Sequence, residues 1–370
     1  MENKKHFYWL DWMRFIAAFM VVICHSRGYN WVEWGSLAHA DQTPLIKLFF
    51  AGTRAGLEWV IVFFVLSGFL VGGGVISRCL KGEFDIRLFA IDRISRIWVP
   101  LIPALFLTLG VALYCGLPAS LWDLLGNAFA LQGVFFKNFG HNEPLWSLSY
   151  EVWFYVLIGS AGVLLTPSSR SRVLGFVTLT IGFAVFTRLS PNFLNCWLIG
   201  AFSYFLVSDR KRPALLLFAL FLALCGIGIS QLQSDTLSVS RNSLMSLLPS
   251  RNIATLMESA GIGLLIAAIC KVQPSSQMML RLEKQGTTWA AFSYTLYLTH
   301  YPILGLWEHF IPERSPSFTS ISFVIFVAKI CSCLLAGWIL YLPFEAKTPA
   351  VRAWMRRRWG GAGPSGSDGR

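Results

Sequence analysis

Apolar residues in this chain fall in long blocks, not in the short stripes that mark the buried face of a soluble helix. Ten blocks have the length to cross a bilayer, which takes about 20 mainly apolar residues, with a range of about 17–25. They cover residues 9–26, 57–77, 97–116, 148–166, 172–188, 191–207, 213–230, 253–271, 288–310 and 318–343. The fifth is short, because only residues 173–187 separate Arg172 from Arg188. Both arginines can extend their stems along apolar surface and place the charge at the interface. An eleventh apolar stretch, 119–136, contains Asp123, Asn127 and Gln132 and is expected to lie in an outer loop as an interfacial or re-entrant segment. The expected fold class is all-α and integral to a membrane, with about ten transmembrane helices.

Basic residues between the blocks orient the chain, because inside loops carry the excess of Lys and Arg. With the N-terminus in the cytoplasm, twenty-one basic residues fall inside and eight outside, while Arg14 and Lys329 within spans complete the 31. The inside set begins with Lys4 and Lys5 and includes Arg170, Arg210, Lys211, Arg212 and Arg370; Arg241 lies outside. If 119–136 crossed the membrane, every later loop would change sides and the bias would largely vanish. Ten spans with both termini cytoplasmic is the consistent topology. The first block is expected to be an uncleaved span: Asp11 and Arg14 crowd it, and the small-residue pattern Ala38 to Ala40 lies far downstream.

Composition agrees. Of 370 residues, 55% are apolar and 14% charged, against about 45–50% and about 25% in a soluble domain. With a mean hydropathy of +0.57, this excludes a soluble or disordered protein. The net charge of +12 sits in short clusters between apolar blocks, a topology signal that does not call for nucleic acid. The eight cysteines give no disulfide framework: Cys24, Cys196, Cys225 and Cys270 lie within apolar runs, and Cys331 and Cys333 form a lone C-x-C. No metal-ligand spacing and no fixed-period repeat occur. Residues 1–345 are expected to form one membrane domain and 346–370 a basic cytoplasmic tail, disordered from Trp359 to Arg370. The run Arg356–Arg358 is expected to fix topology and touch anionic lipid.

Ionisable groups within spans are costly, so each is a candidate for function. The first span holds Asp11, Arg14 and His25. Eleven residues at about 100° each place Arg14 and His25 within about 20° on one helix face and about 16 Å apart along the axis. Asp11 can pair with Arg14 one turn away. A buried ion pair beside a core histidine would look the same. The second span reads FFVLSGFL from Phe63 to Leu70, and its Gly68 and Gly72 suit either close helix packing or close approach of a ligand. The following loop ends in Arg93-Ile94-Ser95-Arg96, which could clamp a phosphate or serve as inside-positive charge. Span four opens with PLWSLSYE ending at Glu151, and span nine carries SYTLYLTHYP from Ser293 to Pro302, placing His300 near the depth of His25. Polar groups on several spans at similar depths suggest one shared cavity, and Glu258 and Lys329 either face it or pair with each other. Mid-membrane His, Arg and Glu also suit a proton-coupled secondary transporter or flippase for a glycan precursor.

Five segments in order, Leu10-Asp11 with Arg14-x10-His25, FFVLSGFL, Arg93-x-x-Arg96, PLWSLSYE and SYTLYLTHYP, resemble the membrane-bound acyltransferase-3 family, bacterial O-acetyltransferases of surface and exported glycans. The resemblance spans about residues 8–345. At Tyr150-Glu151-Val152 many members read Val-Glu-Glu, a difference that leaves Glu151 in place. The resemblance implies an acyl-CoA donor, usually acetyl-CoA, bound from the cytoplasm, and a hydroxyl of a carbohydrate or lipid-linked sugar as acceptor. It implies catalytic roles for His25, Arg14 and Glu151, donor contacts at Arg93, Arg96, Ser67 and Gly68, and acceptor contacts at Trp146, Tyr297 and His300. No metal is expected. His25 would act as general base or be acylated itself. Arg14, Ser67 or His300 would supply the donor to a developing oxyanion. The expected location is the bacterial inner membrane, in contact with its lipid. Many relatives append an extracytoplasmic hydrolase-like domain; this chain ends about 27 residues after its last span. The membrane domain is therefore expected to complete the reaction or pass the acyl group to a separate glycan-assembly protein.

Overall fold

The computed structural model describes residues 8–166, 172–208, 213–233, 248–272 and 276–360. The expectations for Lys4, Lys5, Arg170, Arg210, Lys211, Arg212, Arg241 and the last ten residues fall outside these ranges. Among the described residues the fold is all-helical, with two isolated β-bridges and no strand.

Helix α1 (Tyr8–Gly28) carries the first motif, and α2 (Pro44–Thr53) starts where Thr43 accepts from the Ile46 N–H. Helix α3 (Gly56–Ser67) runs through a π-helical turn, Gly68–Gly73, into α4 (Gly74–Leu80). Helix α5 (Ile86–Tyr114) is capped by Asp85, whose carboxylate accepts from the N–H groups of Arg87 and Leu88. Then follow α6 (Leu121–Ala128), α7 (Trp146–Leu165), α8 (Arg172–Phe186), α9 (Pro191–Ser203), α10 (Pro213–Leu232) and α11 (Arg251–Ile269). The chain continues through α12 (Gln277–Ala291), α13 (Ser293–Phe310), α14 (Ser320–Tyr341) and α15 (Thr348–Trp359).

Among the described residues, seven helical stretches are long and apolar enough to cross a membrane. They are Trp9–Gly28, Pro44–Leu80, Ile86–Tyr114, Glu143–Leu165, Pro213–Leu232, Arg251–Ile269 and Ser320–Trp359. All ten apolar blocks of the sequence overlie helices. The 119–136 stretch forms only α6, eight residues and about 12 Å long. It is tied back by Trp98, whose Nε1 donates to the Ala128 carbonyl at 2.8 Å.

Block 288–310 differs from expectation, because the chain bends at Phe292 (φ −106°, ψ 5°) and residues 288–291 end α12. The Ser293 hydroxyl turns back to the Ala290 carbonyl at 2.8 Å, so the apolar helix starts afresh at Ser293. The basic segment after Pro343 also forms structure: α15 docks on α5, with Arg352 and Arg356 on Asp92 at 3.4 and 2.7 Å.

Glycines bring α9 against the π-helical turn. A Cβ on Gly68 would lie 1.9 Å from the Trp197 carbonyl oxygen, and one on Gly200 would lie 2.2 Å from that of Val65. The two backbones touch directly, as small residues allow. Helix α1 packs against α3, α12, α13 and α14. Lys329 donates to the Tyr29 carbonyl at 2.7 Å and to Asn30 Oδ1 at 3.2 Å, pinning α14 to the end of α1. Glu258, fully buried beside Gly226 of α10, has no hydrogen-bond partner on either oxygen among the described residues. Lys329 and Glu258 therefore neither pair nor line the central cavity, which corrects both sequence expectations for them.

Candidate active site

Five segments, α1, α3 with its π-helical turn, α5, α7 and α13, enclose a cavity of about 270 Å³. Its charged lining is Arg14, Arg93, Arg96 and Glu151, three guanidinium groups against one carboxylate. Helix periodicity delivers them: Arg93 and Arg96 stand one turn apart on α5, while Glu151 and Tyr155 stand one turn apart on α7. Tyr155 donates its hydroxyl proton to Glu151 Oε1 at 2.5 Å and lies 3.1 Å from the Ser67 hydroxyl, which also accepts from Trp197 Nε1 at 3.2 Å.

The three arginines are balanced unequally. Arg14 pairs with Asp11 at 3.3 Å, and Arg96 pairs with Glu345 at 2.9 Å while lying over the Tyr294 ring at 5.4 Å. Arg93 lies over the Tyr155 ring at 5.4 Å and, among the described residues, has no carboxylate within ion-pair distance. Its Nε and the Tyr294 hydroxyl are buried without hydrogen-bond partners among the described residues. A cationic N–H and a hydroxyl held away from water without an acceptor favour an incoming anion.

His25 lies outside the cavity lining, where it meets His300. His25 Nδ1 is 2.8 Å from His300 Nε2, and the rings are inclined by 12°. His300 Nδ1 is 2.7 Å from the Tyr297 carbonyl oxygen. A carbonyl can only accept, so His300 Nδ1 carries the proton. In the neutral pair His300 Nε2 must then accept, and His25 Nδ1 must donate to it. That leaves the lone pair of the half-buried His25 on Nε2, where a general base needs it. Tyr297 joins the two regions: its carbonyl orders the histidines, while its ring lines the cavity. Its hydroxyl lies 2.7 Å from the Ser147 hydroxyl and donates to the Pro144 carbonyl at 3.1 Å.

Six residues singled out in the sequence line the cavity: Arg14, Ser67, Arg93, Arg96, Glu151 and Tyr297. Four do not. His25 and His300 form the adjoining pair, and His300 is fully buried with both ring nitrogens engaged, which leaves it no nitrogen for a ligand. Trp146 packs among Phe64, Tyr150 and Phe193, and the side-chain direction of Gly68 is filled by the α9 backbone. Both serve helix packing in this arrangement. Tyr155, Tyr294, Ser147 and Glu345 were not singled out. Tyr155 was within reach of sequence reasoning, one turn after Glu151, whereas no local pattern connects Glu345 to Arg96.

A polar, arginine-rich cavity beside a histidine pair, inside a body of apolar helices, defines a multi-pass membrane protein with a polar interior site. The family described as an acyltransferase domain matches residues 7–342, so the chain belongs to the acyltransferase-3 family and is a membrane acyltransferase. An uncharacterized protein of Haemophilus influenzae is 26% identical over 181 residues, 43% of this chain and 71% of its own length. No solved structure matches.

Proposed function

We propose that the protein transfers an acyl group, acetyl in the first instance, from cytoplasmic acyl-CoA to a hydroxyl of an exported glycan or lipid-linked sugar. On this reading the chain crosses the bacterial inner membrane ten times with both termini in the cytoplasm. The observation that carries it is the adjacency of two differently equipped regions: an arginine-lined cavity suited to a phosphorylated donor and a histidine pair with its lone pair on His25 Nε2.

Arg93 and Arg96, with Arg14 nearby, receive the donor's phosphates, and the apolar wall formed by Phe63, Leu66 and Leu70 suits the thin pantetheine arm. His25 Nε2 takes the proton of the acceptor hydroxyl as its oxygen attacks the thioester carbonyl. The tetrahedral intermediate collapses, the C–S bond breaks, and the leaving thiolate takes the proton back from His25. Ester and free CoA thiol are the products. His300 keeps His25 in the required tautomer and shares the positive charge that develops on the imidazole. Arg14 or Ser67 is placed to stabilise the oxyanion.

The test is NMR of the surface glycan from cells whose sole copy is His25→Ala. O-acyl signals should disappear while the variant protein accumulates normally in the membrane. Full acylation by that variant would contradict the reading.

A further inference from the structure

We propose that Glu345 is a positioning residue for the donor end of the cavity, acting through Arg96; this rests on the acyl-CoA reading above. Glu345 follows α14 and is 4% exposed. Its two oxygens have separate tasks. Oε1 accepts from Arg96 Nη1 at 2.9 Å, while Oε2 accepts from the Thr295 N–H at 3.0 Å and from its hydroxyl at 2.6 Å.

The Thr295 N–H lies in the first turn of α13, where the break at Phe292 leaves backbone donors without helical acceptors. A carboxylate there is favoured by both the hydrogen bond and the helix dipole. One side chain thus anchors the helix that carries Tyr297 and His300 and holds the guanidinium at the cavity wall. With Nη1 on Glu345 and the plane of the group over Tyr294, the remaining donors of Arg96 have one fixed orientation. A planar fork that is already oriented loses less freedom on taking a phosphate than a free one.

The two tasks can be separated. In Glu345→Gln one amide oxygen remains, and the Thr295 N–H, which can only donate, claims it. The amide NH₂ is then turned toward Arg96, and the ion pair is lost while the helix cap survives. Loss of orientation and loss of a nearby negative charge act oppositely on an anionic ligand, so the sign of the change is diagnostic.

The experiment is calorimetric binding of coenzyme A to full-length protein in lipid nanodiscs, for wild type, Glu345→Gln, Arg96→Ala and the double variant, with thermal unfolding of each. Positioning through Arg96 predicts that Glu345→Gln raises the Kd about tenfold in the wild-type background but by less than about twofold in the Arg96→Ala background. Acetyl-CoA turnover by Glu345→Gln should show the rise in KM with kcat changed by less than about threefold. An unchanged or lower Kd overturns the proposal. So does an equal loss in both backgrounds, or a Glu345→Gln protein that does not fold, since each reduces Glu345 to a structural or charge-balancing role. If wild-type protein fails to bind coenzyme A, the donor reading itself fails.

Discussion

His25 can serve as a base only while the proton sits on Nδ1, and nothing on α1 holds it there. The Tyr297 carbonyl does so at one remove, through His300. His300→Phe keeps a flat ring of similar size but removes the acceptor. It should lower kcat by about 10²–10⁴ while coenzyme A binding changes by less than about twofold, since a wrong tautomer affects chemistry rather than donor capture. Equal losses in binding and turnover would show that His300 only fills space. Arg93, the cavity arginine without a carboxylate partner among the described residues, should matter differently: Arg93→Ala should raise the Kd for coenzyme A about tenfold or more. The Arg14–His25 spacing was legible from helix periodicity, and so was Arg93-x-x-Arg96, because these relations lie within single helices. The Glu345–Arg96 pair was not, because its partners are 249 residues apart and meet only through tertiary packing.

At the scale of helices, one contact is made backbone to backbone. The π-helical turn and α9 meet through Gly68 and Gly200 at distances that leave no room for a methyl group. Gly68→Ala should destabilise the protein by about 1–3 kcal/mol, seen as a lower unfolding temperature in detergent, because the obstruction is carbonyl backbone that cannot rotate aside. Sequence left Gly68 open between packing and ligand approach, since glycine looks the same in both; only the neighbouring helix separates them. Glu258 gives the opposite expectation. Among the described residues neither of its oxygens has a hydrogen-bond partner, so Glu258→Gln keeps the shape and forfeits no partner, and the unfolding temperature should hold or rise. A marked fall would mean that the carboxylate has a partner in the membrane. The bend at Phe292 escaped the block pattern because apolar residues continue across it, and the change of direction rests on polar capping by Ser293 and Glu345.

For the whole molecule, block lengths read the helical membrane architecture directly, because bilayer thickness acts on sequence alone. Where the cavity lies was less legible, because it depends on which faces of α1, α3, α5, α7 and α13 converge. Ten crossings with both ends inside predict that a fluorescent protein fused after Arg370 glows and that alkaline phosphatase fused there is inactive. Phosphatase activity at that end would remove the proposed topology. The central claim is that this one chain moves an acyl group from CoA to an alcohol through His25. Its most direct measurement is acyl transfer by purified protein in nanodiscs, given radiolabelled acetyl-CoA and the glycan fraction of its host. Wild type should place label on the glycan in an alkali-labile ester and release one CoA thiol per ester, while His25→Ala binds coenzyme A with unchanged affinity and transfers none. Label transferred equally by His25→Ala would contradict the account.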